Sequence, residues 1–190
     1  KKLQELEANW QLSIYMASTM SLEHAWERYA DQQQTEAVKK GVLDIDPDEI
    51  AKLQDSLKTR EQVKEKVLEI RSLNTARRIS ATLEVVFAGA FGLGASDIHI
   101  EPEESGVRVR YRLDGVLHDV MDLERGVYER LISRIKLLAG LKLNVHDEAQ
   151  DGRFTFDIGE KHVEVRTSVI PGATGESAVM RLLDPSVASF

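Results

Sequence analysis

The hydrophobic period of this sequence changes near residue 95, and the change limits the folds that the chain can adopt. Before it, apolar residues such as Ile79, Leu83 and Val86 recur every three or four positions, as on the buried face of a helix. After it, apolar and charged residues alternate between Val107 and Leu113, as in a strand with one buried face. A helical segment therefore precedes a segment that contains a sheet.

The same two periods predict the order helix, three strands, helix, three strands for the second part of the chain. The predicted helices cover residues 75–91 and 124–140, and the last three strands lie near 152–158, 161–170 and 176–183. This order is typical of an α+β fold, in which helices cover one face of an antiparallel sheet.

Residues 1–72 have the pattern of separate amphipathic helices. Apolar residues at helical spacing run from Leu3 to Ala17 and recur from Ile50 onward, with helix starts predicted at Pro47 and at the Thr59 capping box. This first part has 8 Lys and 3 Arg, whereas residues 73–190 have 3 Lys and 11 Arg. We therefore predict two domains, an all-helical one (1–72) and an α+β one (73–190).

The composition excludes several classes of function. A net charge of −7 disfavours a general nucleic-acid or anionic-membrane binder, and the absence of cysteine rules out thiolate catalysis and cysteine-bound metals. No apolar run approaches the roughly 18 residues of a membrane span. We expect a cytoplasmic protein, and because the chain begins at Lys1 we expect a piece of a longer product.

Two arginines are predicted to face each other across a hairpin. Gly159-Glu160 is typical of a two-residue turn, and the register that it sets places Arg153 directly opposite Arg166. Like charges at such a position destabilise a strand pair. Either carboxylates such as Asp151 or Glu164 neutralise these arginines, or an anion lies between them.

A second group of arginines alternates along the strand from Val107 to Leu113. A hairpin through residues 102–106 would lay them against the polar residues of the preceding strand, so we expect cross-strand ion pairs there. The alternative, a metal site on the preceding strand, offers only an incomplete set of ligands. The arginines are Arg108, Arg110 and Arg112, and the facing residues are Asp97, His99 and Glu101.

The segment Gly172–Ser177 superficially looks like a phosphate-binding loop. It has Glu176 where such a loop has lysine, its glycine spacing differs, and it leads into a strand pattern. We therefore predict a turn there. Since no Ser-His-Asp constellation is apparent either, we do not predict a self-contained enzyme.

Six motifs in the second part resemble those of the secretion ATPases, the motors of type II secretion and type IV pilus assembly. They match, in order and spacing, the domain just before the P-loop domain of that family, over roughly residues 74–184. The motifs cover residues 96–102, 107–117, 131–136, 150–153, 165–168 and 175–184.

The resemblance implies a PAS-like domain in a homo-hexamer, packed on P-loop domains that bind ATP with Mg²⁺ in the full-length protein. In that family, arginines of this domain reach the γ-phosphate, and the matching residues are Arg153 and Arg166. Arg112 and Arg181 are further candidates for nucleotide contact. Walker A and B motifs are absent from this chain, so we expect it to bind no cofactor by itself, and we expect no metal site.

The resemblance also implies that residues 1–72 dock to the inner-membrane platform of the machine, which would make the protein cytoplasmic and peripheral at that membrane. Ala149 replaces the family's usual proline before the 150–153 motif, and Asn144–Asp147 replaces a charged run. No motif for cyclic-di-GMP is seen, and no nucleic-acid partner is expected. A non-catalytic adaptor and a stand-alone PAS-like sensor are alternatives.

Overall fold

Four helices and six strands make up the described part of the chain, which comprises residues 18–20, 47–73, 75–158 and 161–183 of a computed structural model. None of the described helices is long and apolar enough to cross a lipid bilayer. In chain order the elements are α1 (Pro47–Ser56), α2 (Arg60–Ile70), α3 (Thr75–Gly92), β1 (Asp97–Pro102), β2 (Val107–Leu113), β3 (Val116–Leu123), α4 (Arg125–Leu138), β4 (Gln150–Ile158), β5 (Lys161–Gly172) and β6 (Gly175–Leu183).

The chain divides into two compact units, Lys1–Ala37 and Val38–Phe190. The helices predicted before residue 47 lie outside the described residues. In the second unit, α1 and α2 pack closely on α3: a Cβ added at Gly89 would lie 2.6 Å from Val63, and one at Gly92 would lie 2.5 Å from the Leu57 carbonyl oxygen. The boundary between residues 72 and 73 remains a prediction.

The six strands form one antiparallel sheet with the order β3-β2-β1-β6-β5-β4. One face of each central strand is buried, and the residues between carry charged or polar side chains toward the other face. The α+β class predicted from the sequence is confirmed, and the predicted helices and strands occur at nearly the predicted positions.

A single hydrophobic core joins the buried faces of the helices and the sheet. Phe87 of α3 is fully buried, with its ring centroid 4.9 Å from that of Phe156 and 5.8 Å from that of Phe154. The Tyr111 hydroxyl donates a hydrogen bond to the Val86 carbonyl oxygen (2.7 Å), and burial raises the pKa of this tyrosine well above its usual range. The described helices therefore share a core with one face of the sheet, and the polar side chains of the central strands point toward the other face.

Local sequence signals set the ends of the helices. Thr59 forms the predicted capping box with Gln62, because each side chain bonds to the backbone N–H of the other. At the end of α3, Gly94 adopts φ +69°, and the Ala95 N–H donates to the Ala90 carbonyl oxygen (2.8 Å), as in a Schellman motif.

The hairpin turns fix the register of the sheet. Asp114 (φ 50°) and Gly115 (φ 81°) form the predicted turn between β2 and β3, with the positive angles of a type I′ turn. The predicted turn at Gly159-Glu160 lies outside the described residues. The register on either side of it is nevertheless the predicted one, from Ile158 opposite Lys161 to Arg153 opposite Arg166.

Candidate functional site

A row of four arginines and one aspartate crosses the open face of the sheet, meaning the face opposite the hydrophobic core. Each member lies directly opposite the next on the neighbouring strand, and the row spans β4, β5, β6, β1 and β2. We call this set the arginine row. In spatial order it consists of Arg153, Arg166, Arg181, Asp97 and Arg112. All four arginines that were predicted to contact a nucleotide therefore share one row.

Arg153 and Arg166 form the exposed end of the arginine row. Among the residues that the structure describes, no carboxylate oxygen lies within 4.0 Å of the Arg153 guanidinium. The Nε of Arg166 is 3.4 Å from an oxygen of Glu164, and the Arg166 side chain is 70% exposed. Asp151 bonds to the Ser168 hydroxyl, not to an arginine. Of the two suggested carboxylates, only Glu164 contacts an arginine of this pair, and the contact is loose.

The arrangement costs electrostatic energy. If neighbouring guanidiniums lie as far apart as the strands, about 5 Å, each pair repels by about 1 kcal/mol in water and by about 3 kcal/mol at an effective dielectric constant of about 20. Two such neighbours occur in succession, because Arg166 faces both Arg153 and Arg181. A polyanion bound across these side chains would relieve the repulsion, since planar guanidiniums match phosphate oxygens in geometry and charge.

Asp97 lies at the centre of the arginine row and is almost completely buried, with its side chain 4% exposed. Oδ1 accepts from Arg181 Nε (2.9 Å), whereas Oδ2 is 3.1 Å from Arg112 Nε and accepts from the Ser96 hydroxyl (2.8 Å). Burial alone would raise the pKa of Asp97. The hydrogen bonds from Arg181 and Ser96, with the charges of Arg181 and Arg112, outweigh burial and hold that pKa below its usual value.

Arg112 is therefore the least available arginine of the row. Besides its contact with Asp97, its Nη1 donates to the Gly115 carbonyl oxygen (3.1 Å), and its side chain is 34% exposed. Arg181, by contrast, is 65% exposed and contacts Asp97 through Nε. Among the described residues, no other hydrogen bond or ion pair engages the Arg181 side chain, which lies on the strand position opposite Arg166.

The other arginines of β2 form the cross-strand ion pairs expected from the sequence, with one difference. Arg110 bonds to Glu101, one of the residues of β1 that were expected to face these arginines. Arg108 lies opposite Glu101 but pairs instead with Glu103 (2.9 Å) and Asp119 (3.8 Å). These arginines are neutralised within the sheet, which separates them from the exposed end of the arginine row.

In the motif Gln150-Asp151-Gly152-Arg153, the residues before the arginine make contacts that hold β4 in place. The Gln150 amide bonds to both backbone groups of Lys142 (2.8 and 3.1 Å) and to the Val145 carbonyl oxygen (3.1 Å). A Cβ at Gly152 would lie 2.3 Å from the Ala139 carbonyl oxygen, so only glycine fits there. The motif thus fixes β4 against the loop that follows α4.

A buried ion pair, which the sequence reasoning did not find, holds the same loop. Lys136 Nζ lies 2.5 Å from a Glu176 oxygen, and the two side chains are 1% and 8% exposed. Lys136 also donates to the Val145 carbonyl oxygen (2.7 Å), and His146 Nδ1 lies 2.7 Å from the second Glu176 oxygen. The sequence does contain a signal for this ion pair. Lys136 follows Tyr128 and Ile132 at a spacing of four and therefore lies on the buried face of α4, where a lysine needs a partner.

The hairpin between β5 and β6 contains the segment that superficially looked like a phosphate loop. Gly172 pairs with Gly175, so Ala173 and Thr174 form a two-residue turn between strands. No helix begins there, and Glu176 is engaged with Lys136. The prediction of a turn is confirmed.

Comparison with known proteins gives a consistent match over the sheet-containing part of the chain. The family model described as "Type II/IV secretion system protein" matches residues 72–190. The type IV pilus assembly ATPase PilB of Myxococcus xanthus is 32% identical over 178 residues, which cover 93% of this chain and 30% of that protein.

Two proteins named for type II secretion match shorter segments. The type II secretion system protein E of Xanthomonas campestris is 40% identical over 121 residues, covering 64% of this chain and 21% of that protein. The type II secretion system ATPase E of Vibrio cholerae is 46% identical over 91 residues, covering 48% and 18%. The chain thus spans about a fifth to a third of the length of these relatives, and it belongs to the type II/IV secretion system protein family.

Proposed function

We propose that this chain is the N-terminal portion of a hexameric secretion or pilus ATPase and that it supplies arginines to ATP bound by a P-loop domain outside the chain. Arg153 and Arg166 contact the γ-phosphate and stabilise the charge that develops during hydrolysis. Mg²⁺ is bound with the nucleotide by the P-loop domain, and this chain alone has no turnover.

The observation that carries the proposal is the exposed, incompletely neutralised end of the arginine row. Exposed arginines need no partner, since water solvates them well. Three directly opposed arginines, Arg153, Arg166 and Arg181, are nevertheless unfavourable for folding and have one carboxylate contact each at most. Guanidiniums bind phosphate oxygens well, and a triphosphate offers several anionic oxygens for neighbouring arginines to contact.

The remaining two arginines of the row have secondary roles in the proposal. Arg181 extends the contact with the nucleotide through its terminal amino groups. Arg112 lies at the far end, is tied to Asp97 and Gly115, and contributes the weakest contact.

The packing of the helices supports a mechanical role for this chain. Helices α1 and α2 share one hydrophobic core with the sheet, so a force on the arginine row moves them as one body with it. The domain of residues 1–72 transmits this motion to a platform protein of the inner membrane, at which the cytoplasmic ATPase is peripherally bound. The relatives named as ATPases of pilus assembly and secretion support this assignment.

The alternative is a non-catalytic adaptor, in which the arginine row binds a neighbouring subunit. The same exposed arginines favour this alternative, because arginine is enriched in protein interfaces. In that case alanine substitutions would reduce assembly, seen by analytical ultracentrifugation, and would leave the turnover of each assembled ring unchanged.

The test uses the full-length protein that contains this chain. Arg153→Ala and Arg166→Ala should lower kcat for ATP hydrolysis by at least about tenfold and change KM less, because the contacts strengthen in the transition state. Arg130→Ala, at an exposed arginine of α4, is the matched control. Wild-type kcat in both row variants would refute the proposal.

A further inference from the structure

We propose that Asp97 is a positioning residue that holds Arg181 in place for contact with the nucleotide; this inference rests on the proposed function. The Asp97 side chain is buried beneath the exposed surface of the row, and in this proposal it does not contact the nucleotide. It acts through the arginine that it binds.

The geometry around Asp97 is that of a fixed anchor. Its carboxylate is 4% exposed, and both oxygens are engaged. On one side, Arg112 is itself fixed by the Gly115 carbonyl oxygen, and Ser96 supplies a third hydrogen bond. The second oxygen is thereby directed toward Arg181 on the neighbouring strand.

Arg181 needs such an anchor because of its other neighbour. It lies directly opposite Arg166, and its long side chain is 65% exposed. Without a carboxylate, repulsion between the two guanidiniums would favour rotamers in which Arg181 extends into solvent, away from the row. The contact with Asp97 restricts the rotamers of Arg181. The added entropic cost is small, because other contacts already fix the carboxylate.

The point of attachment leaves the functional end of Arg181 available. Asp97 accepts from Nε (2.9 Å), and no hydrogen bond to another described residue engages the terminal amino groups, which can therefore bind anionic oxygens. Glu164 contacts Nε of Arg166 in the same way, but at 3.4 Å and at a more exposed position. Arg181 is therefore the better preorganised of the two, as electrostatic catalysis requires.

Removing the Asp97 charge tests this role in the full-length protein. Asp97→Asn keeps the shape of the side chain, and we expect it to lower kcat for ATP hydrolysis by the same factor as Arg181→Ala, at least about fivefold, with a smaller change in KM. The double variant should be no slower than Arg181→Ala alone, since both changes remove the same contact of Arg181 with the nucleotide, while Arg112 keeps its bond to the Gly115 carbonyl oxygen. A merely structural role would not produce this non-additivity.

The matched control is Glu101→Gln on the same strand and the same face, where the carboxylate binds Arg110. It should leave kcat within twofold of wild type. If Arg153→Ala and Arg166→Ala lower kcat but Asp97→Asn and Arg181→Ala do not, the role of Asp97 is overturned and the proposed function stands. If all four variants keep wild-type kcat, both are overturned.

A second measurement keeps the inference testable if Asp97→Asn destabilises the full-length protein. In the 190-residue chain labelled with ¹⁵N-arginine, the Nε proton of Arg181 should exchange slowly with water, and at least about tenfold faster in Asp97→Asn. Glu101→Gln should not change it. An Arg181 exchange rate that is the same in wild type and Asp97→Asn would overturn the anchoring role.

Discussion

Replacing Lys136 by methionine should destabilise the protein strongly, although the substitution keeps the length and the aliphatic part of the side chain. Lys136 is 1% exposed, and it lies 2.5 Å from a Glu176 oxygen in the core between α4 and the sheet. Its loss leaves the Glu176 carboxylate with His146 as its remaining ionisable partner. It also removes the hydrogen bond to the Val145 carbonyl oxygen.

The expected cost is about 3–5 kcal/mol, the usual effect of removing one partner of a buried ion pair. For a domain of this size, each kcal/mol lowers Tm by about 2–4 °C, so Lys136→Met should lower Tm by roughly 6–20 °C. Urea unfolding followed by circular dichroism gives the free energy directly. The double variant Lys136→Met/Glu176→Gln should recover at least about 1 kcal/mol, because it removes the unpaired charge.

The control is an ion pair of similar length in a different environment. Lys66 and Glu69 lie 2.7 Å apart on α2, with side chains 42% and 65% exposed, and Lys66→Met should cost less than about 0.5 kcal/mol. A cost below about 1 kcal/mol for Lys136→Met, or a double variant less stable than Lys136→Met, would refute the reasoning that burial makes this pair essential.

Three further predictions concern the helix cap at Thr59, the close packing at Gly152 and the buried carboxylate of Asp97. Thr59→Ala should cost about 1 kcal/mol in urea unfolding, and no loss would contradict the capping role. Gly152→Ala should cost about 1–3 kcal/mol, because its Cβ would lie 2.3 Å from the Ala139 carbonyl oxygen, whereas Gly126→Ala, which meets nothing within 4 Å, should cost nothing. The lowered pKa of Asp97 means that its contribution to stability is complete above the unfolded pKa near 4 and is lost as the pH falls through the folded pKa. Between pH 5 and pH 3 the wild type should therefore lose more stability than Asp97→Asn, and equal slopes would contradict the assignment.

Much of the fold could be predicted because its signals are local. The alternation in Val107–Leu113, the capping box at Thr59 and the turn at Asp114-Gly115 each depend on a few neighbouring residues. Two-residue turns also fix register, which is why the opposition of Arg153 and Arg166 followed from the sequence. These features need no knowledge of the rest of the molecule.

The features that were missed depend on contacts between distant segments. The arginine row exists as one line because β1 pairs with β6, which brings Asp97 beside Arg181 across 84 positions of the sequence. The bond between Lys136 and Glu176 likewise joins a helix to a strand two hairpins away. A lysine on an apolar helix face signals that a partner exists, but only the tertiary fold identifies which carboxylate it is.

The central claim is that the exposed arginines of the row act on ATP, and steady-state hydrolysis by the full-length protein tests it most directly. Assembly is checked first by analytical ultracentrifugation, so that only variants with the wild-type assembly state are compared. The account predicts that Arg153→Ala and Arg166→Ala lower kcat by at least about tenfold with a smaller change in KM, while Arg130→Ala does not. Wild-type hydrolysis rates in both row variants, at the wild-type assembly state, would contradict it.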